Sequence, residues 1–235
     1  MTSIDERHRL FQQLHQSGCF VVPNPWDIGS AKLMAANGAV ALATTSAGHA
    51  FTLGRPDMGT ITRDEALSHA QDILAATPLP VTGDFENGFG DEPEDVAQTV
   101  KMAAEVGLSG CSVEDTSMDA GNAAYSFELA VERIRAGAAA AQKLARPFVF
   151  CARADGVMNG HYDTEEAIRR IRAYAQAGAD LLYVPLPPPL DDVARIDQRV
   201  SKPINALAAG PYRKFTRQDF ARMGVRRISS GSALA

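Results

Sequence analysis

The residues able to do chemistry in this chain gather at the ends of short apolar runs. Leu79–Asp84 ends in an acid, and Glu86 follows two residues later. Gly110–Asp115 ends in Glu114 and Asp115, and Pro147–Asp155 carries Arg153 and Asp155 near its end. Carboxylates crowded together repel strongly unless a cation sits among them. An all-oxygen donor set suits Mg²⁺, with Mn²⁺ as a substitute, an ion that keeps several waters and bridges to substrate. Arg153 is the fixed cation at a strand end, and its fork matches a carboxylate or an enolate oxygen. A lone acid in such a place often just caps the next helix. Asp84, Glu86, Glu114 and Arg153 together point instead to a metal-assisted enzyme acting on a small anion. His49, His69 and His161 have no partners at zinc-site spacing. Cys19, Cys111 and Cys151 are far apart and odd in number, so they read as reduced thiols filling space.

These residues need elements to hold them. Eight apolar runs read as strands: Cys19–Pro23, Val40–Thr45, Leu79–Asp84, Gly110–Asp115, Pro147–Asp155, Asp180–Pro185, Pro203–Leu207 and Arg227–Ser230. Amphipathic stretches lie between them. Thr62 and Glu65 form a capping box, Glu94–Glu105 and Phe127–Leu144 have helical apolar spacing, and Thr164–Ala177 runs from a cap to Gly178. Four strands follow one phrase: AANGAVAL, AEVGLSGCSV, AQAGADLLYV and ARMGVRRIS. Each reads as a helix end, a glycine in the left-handed region, then a strand. Strands alternating with helices favour parallel βαβ units. Eight such units in 235 residues predict an α/β fold, a (β/α)8 TIM-type barrel forming a single domain over residues 1–235. A doubly wound open sheet is the alternative, but no dinucleotide-binding glycine motif follows the first strand. In a barrel the acids and Arg153 converge on the C-terminal mouth, where catalysis occurs. A closed barrel also wants an outer helix after its eighth strand. That final helix is expected either in a segment missing from this chain or from a partner subunit. The run Pro185–Pro189 reads as a stiff loop.

Composition sets the outer limits. Lys+Arg is 23 against Asp+Glu 28, a formal charge of −5, which excludes a nucleic-acid binder driven by phosphate attraction. With 46% hydrophobic and 22% charged residues, the chain is neither disordered nor a disulfide scaffold. No apolar run is long enough to span a membrane, and the first residues lack an apolar leader. The expected location is cytoplasmic.

Several longer motifs resemble the isocitrate lyase/phosphoenolpyruvate mutase superfamily. They are TTSAGHAFTLGRPD (44–57), GDFENGFG (83–90), VEDT (113–116) and ARADG (152–156), and the likeness runs from Asn24-Pro25-Trp26-Asp27 to Gly231. The resemblance implies an α/β barrel whose last helix is often exchanged between paired subunits, in a homodimer or homotetramer. It implies Mg²⁺ beneath a small carboxylic acid, an α-oxo or α-hydroxy acid, and making or breaking of a C–C or C–P bond through an enolate. On this likeness Asp84 is the direct metal ligand and Glu86 a second acid of a D-x-D motif. Asp57 and Glu114 hold metal-bound waters. Ser46, Ala47 and Gly48 present backbone N–H groups to the substrate carboxylate. Arg153 stands beside the developing enolate, and Asn205 matches a substrate-binding asparagine. Thr45 and Trp26 complete the expected substrate contacts, with Asn122 as a loop donor. Arg153, Glu114 and Asp57 are the expected catalytic residues.

The chain also departs from the family. Lyase members carry Lys-Lys-Cys-Gly-His after the strand-four acid, and mutases carry Pro-Lys-Thr-Asn. Here the loop reads TSMDAGNAAYSFE, without Cys, Lys or His. Leu186-Pro187-Pro188 replaces a Phe-Pro-Glu segment, and Glu86 stands for aspartate. The expected function is therefore Mg²⁺-dependent cleavage of a C–C (or C–P) bond in a small α-oxo or α-hydroxy acid through an enolate-type intermediate, as a lyase, decarboxylase or hydrolase, and the changed loop speaks against isocitrate or 2-methylisocitrate lyase activity. The alternatives are a phosphonopyruvate-type mutase or hydrolase, or a non-catalytic oxo-acid binder. Residues 116–126 are expected to act as a lid ordered by ligand.

Overall fold

The structure, a computed structural model, describes residues 3–119, 121, 123–189 and 191–235. Its strands are β1 (Phe20–Val22), β2 (Leu42–Ala43), β3 (Val81–Asp84), β4 (Gly110–Glu114), β5 (Val149–Arg153), β6 (Leu181–Tyr183), β7 (Ile204–Leu207) and β8 (Arg227–Ser229). All are parallel, in the order β1-β8-β7-β6-β5-β4-β3-β2. The two ends of that order meet through one backbone bond, from Ala43 N–H to the Pro23 carbonyl at 3.2 Å. The result is a nearly closed (β/α)8 barrel, the architecture expected from the strand count.

Asn24 fastens this seam. Its Nδ2 donates to the Thr44 carbonyl at 2.8 Å. Its Oδ1 accepts the Ser230 and Gly231 N–H groups at 2.8 and 2.9 Å. One amide thus spans the mouth ends of β1, β2 and β8.

Nine α-helices occur among the described residues: α1 (Ile4–Leu14), α2 (Ile28–Ala36), α3 (Ser46–Thr52), α4 (Arg63–Ala76), α5 (Pro93–Glu105), α6 (Phe127–Gln142), α7 (Thr164–Gln176), α8 (Asp191–Asp197) and α9 (Arg217–Arg222). The Thr62–Glu65 capping box opens α4 as expected. The cap of α7 is Asp163, one residue before the expected Thr164, because its carboxylate accepts the Glu166 N–H. The four phrase glycines, Gly38, Gly107, Gly178 and Gly224, sit at φ of 88°, 99°, 109° and 87°, where a Cβ is strained. Helix α3 falls where the sequence reads as loop; Thr45 caps it by accepting the Gly48 N–H at 3.2 Å. After β8, residues up to Ala235 form no helix. No helix among the described residues is long and apolar enough to cross a membrane.

Two apolar clusters result. One lies between sheet and helices and includes Val100, Ile134 and Ile171. The other fills the barrel with Phe20, Val22, Ala43, Val149, Cys151 and Leu181. Phe11 of α1 belongs to the second cluster and is fully buried, so the first helix closes the end of the barrel opposite the mouth. This role was not legible in a polar N-terminal segment. Phe11→Ala is expected to lower stability by about 3–5 kcal/mol through lost burial and a residual cavity. Urea unfolding measures it, and a loss under about 1 kcal/mol would mean that α1 does not seal the barrel.

Candidate active site

Asp84, at the end of β3, is held from every side. Its backbone N–H donates to Thr44 Oγ1 at 2.8 Å. Its Oδ2 accepts the Ser46 N–H and hydroxyl at 3.1 and 3.0 Å, and its Oδ1 accepts from Ser112 Oγ at 3.3 Å. Arg153 completes the set, with Nη1 2.7 Å from Oδ1.

Arg153 is the centre of the site. Besides Asp84 it pairs with Glu114 at 3.1 Å and with Asp155 at 2.5 Å, the latter a two-pronged contact through Nε at 3.1 Å. The Tyr183 ring lies under the guanidinium, 5.2 Å to its centroid. Burial alone would loosen the Arg153 proton, but Asp155, Glu114 and Asp84 outweigh it and raise its pKa well above the usual value. Asp155 is positioned in turn by Asp115, whose Oδ1 accepts the Asp155 N–H at 2.9 Å. The other Asp115 oxygen accepts from Tyr162 and Tyr174 at 2.8 Å each and from Arg170 at 3.0 Å. Asp115 therefore ties α7 to the strand end that carries Arg153.

The remaining acids are less satisfied. Glu86 sits at φ 44°, in the left-handed region, and is buried. Its Oε1 accepts the Gly59 N–H at 3.2 Å, while its Oε2 is buried without a partner. Glu114 Oε1 is likewise buried and unpartnered. Burial, reinforced by the Asp84 and Asp57 charges, pushes Glu86 up to about 7. Burial and the Asp155 charge raise Glu114, and burial raises Asp57 and takes Asp155 to about 6.

An acidic cluster with two orphaned carboxylate oxygens fits a hard divalent cation. Among the described residues no group of three or more His, Cys, Asp or Glu is arranged to hold one ion directly. The fit is therefore to an ion that keeps most of its waters and uses one or two carboxylates, the usual habit of Mg²⁺. Glu86 and Glu114 offer the free oxygens. Asp84, expected as the direct ligand, has both oxygens engaged by donors, so an ion there would compete with Arg153.

A cavity of about 180 Å³ opens beside this cluster, lined by Thr45, Ser46, Asp57, Asp84 and Arg153 among others. That is below the roughly 300 Å³ at which drug-sized pockets begin, and suits a small acid. The structure thus brings together Asp57, Asp84, Glu86, Glu114 and Arg153. Thr45, Ser46 and Ala47 join them at the cavity wall. The Gly48 N–H is taken by Thr45, and Ser46 N–H by Asp84, so neither is free for a substrate carboxylate. Trp26 does not line the cavity; its Cβ packs toward Gly48 and its carbonyl bonds His69 Nε2 at 3.0 Å. Asn205 is buried against Ser229 and Arg227 and does not line this cavity. Asn122 lies outside the described residues. His49 stacks on His69 at 4.0 Å, and His161 is exposed. In the 116–126 segment, a Thr116–Ala124 bridge and the Tyr125 N–H on the Asp115 carbonyl at 2.9 Å tie the two ends together, while Ala120 and Asn122 lie outside the described residues. Asp155, Asp115 and Tyr183 were missed as site residues. The ARAD motif and VED ending show the two aspartates as acids, but only the fold shows which one braces Arg153.

A parallel barrel with a charge-dense cavity at its C-terminal mouth is the architecture of barrel enzymes. Comparison with known proteins narrows the class: the family model described as phosphoenolpyruvate phosphomutase matches residues 11–235. The chain belongs to this family, within the PEP mutase/isocitrate lyase superfamily. It is 35% identical over 225 residues to an uncharacterized protein of Mycobacterium tuberculosis, covering 94% of this chain and 81% of that protein. It is 30% identical over 187 residues to 2,3-dimethylmalate lyase of Eubacterium barkeri, covering 77% of this chain and 63% of the lyase. A solved structure from Burkholderia cenocepacia J2315, described as a candidate lyase or mutase, superposes with a TM-score of 0.94 at 42% identity. It covers 98% of this chain and 83% of that one.

Two outcomes test this geometry. Asp115→Ala removes the shared acceptor of the buried Tyr162 and Tyr174 hydroxyls and one of the two carboxylates on Arg170, and is expected to cost about 3–5 kcal/mol of stability in urea unfolding. The second concerns pH. Folding raises Glu86 from 4.5 to about 7, so the folded protein binds more protons than the unfolded chain between those values. Stability of metal-free protein should fall as pH rises through that window. Glu86→Gln should flatten that slope in thermal unfolding; an unchanged slope would reject the burial of the Glu86 charge.

Proposed function

We propose that the protein is a Mg²⁺-dependent enzyme that cleaves a C–C bond of a small α-oxo or α-hydroxy carboxylic acid through an enolate-type intermediate. The observation that supports it most is Arg153, bound by Asp84, Glu114 and Asp155 at the wall of the cavity. Cleavage leaves an electron pair that becomes an enolate, and a preoriented guanidinium stabilises charge growing there without reorganising. The three carboxylates keep the guanidinium charged and aimed. Asp115 prevents Asp155 from turning away. Glu86 and Glu114 would hold the ion and its waters, and bound Mg²⁺ would act as a Lewis acid on the α-oxygen. The Ser46 hydroxyl and Thr45 border the space where the substrate carboxylate enters.

The 116–126 segment contains no Cys, Lys or His. This favours a cleavage in which solvent protonates the enolate, as in decarboxylation or hydrolytic cleavage. The relative from Eubacterium barkeri, a lyase by name, supports the C–C reading.

One NMR time course tests it. Protein and Mg²⁺ meet oxaloacetate, phosphonopyruvate, 2-methylisocitrate, 2,3-dimethylmalate and 2-oxoglutarate, with Asp84→Ala and Mg²⁺ alone as controls. The expected result is loss of one acid at a rate lowered about 10²-fold or more in the variant. Equal rates in wild type and Asp84→Ala would reject the assignment. Consumption of phosphonopyruvate alone would replace C–C by C–P chemistry at the same site.

A further inference from the structure

The cavity has a second guanidinium, and it is in a different electrical state from the first. Arg227 begins β8, is 4% exposed, and lines the cavity beside Tyr183 and Ser229. Its Nε donates to Asn205 Oδ1 at 2.8 Å. Asn205 Nδ2 in turn donates to Ser229 Oγ at 3.0 Å, which fixes the amide and so the guanidinium. The Nη1 of Arg227 is buried without a partner.

No ion pair to Arg227 occurs among the described residues, whereas Arg153 has three. Burial lowers the Arg227 pKa against the opposing pull of Cys151 and Tyr183, and the Arg153 charge adds to the lowering. A buried guanidinium is costly unless an anion meets it, and buried donors are ordinarily satisfied. Here the unsatisfied donor belongs to a residue of the cavity wall. Arg153 is already neutralised by its own carboxylates; Arg227 has charge and a donor to give.

We propose that Arg227 receives a second acid group of the substrate, at the end remote from the α-oxygen, so that the site selects diacids over monoacids. The assignment rests on the oxo- or hydroxy-acid reading above. It also changes the role of Asn205, from a substrate contact to a residue that positions Arg227.

Malate and lactate share the α-hydroxy acid end and differ in the second carboxylate, so they isolate this contact. Calorimetric titration with Mg²⁺ should show malate bound at least about tenfold tighter than lactate by wild type. In Arg227→Gln, malate affinity should drop to near the lactate value, with lactate changed by less than about threefold. Arg227→Lys keeps the charge without the fork and should recover part of the preference. Thermal unfolding of each variant, with lactate binding as an internal reference, separates this from loss of fold. Malate and lactate bound alike by wild type, or a malate preference that survives Arg227→Gln, would overturn the assignment. If lactate and malate binding then both vanish in Asp84→Ala, the oxo-acid reading stands and only Arg227 is reassigned. If wild type binds neither acid, the Arg227 assignment falls, and the oxo-acid reading is decided by the NMR time course.

Discussion

Everything at the mouth of this barrel depends on burying one guanidinium among three carboxylates. Arg153 could not stay charged at its depth without Asp84, Glu114 and Asp155, and those acids could not lie so close without it. The strand register makes the cluster possible. Glu114 is paired with Arg153, and Arg153 with Tyr183, in adjacent strands. Asp84 is brought alongside by Thr44 and Ser46 from the neighbouring strand end. Glu86 and Asp57 add two more carboxyls, which burial pushes toward the neutral form. The proposed divalent cation would offset the charge of those carboxyls where they ionise.

Support for the cluster comes from below and behind. Asp115 gathers two tyrosine hydroxyls, the Arg170 guanidinium and the Asp155 backbone onto one carboxylate. The order of Arg153 is thus set partly by α7, a helix that contributes nothing to the cavity wall. In the same way Asn205 and Ser229 set Arg227. Residues of both kinds are buried, polar and fully bonded, the condition under which a polar network fixes one geometry.

Much of this was readable from residue order. Eight apolar runs, the repeated glycine phrase and the acids at strand ends specify a parallel barrel and one end of it as chemical. Asp84, Glu86, Glu114 and Arg153 meet because a barrel converges its strand ends. What escaped the sequence depends on three-dimensional neighbours. Asp155 and Asp115 differ in role only through which backbone each faces. Arg227 lies at the start of a strand, where a mouth-end reading does not look, yet its long side chain reaches the cavity wall. The capping role of Thr45, which consumes the Gly48 N–H, was hidden because SAGHAFT carries no strong helix pattern.

The seam between β1 and β2 has a consequence for the molecule's outer behaviour. Full closure is how a barrel avoids presenting strand edges to other chains. This one is closed there by a single ladder bond and by the Asn24 amide reaching across to Thr44, Ser230 and Gly231. In sheet terms β1 and β2 are two edges folded face to face. Asn24 therefore serves as an edge protector as well as a wall of the cavity. Protection of the strand edges and the shape of the mouth are coupled through one side chain.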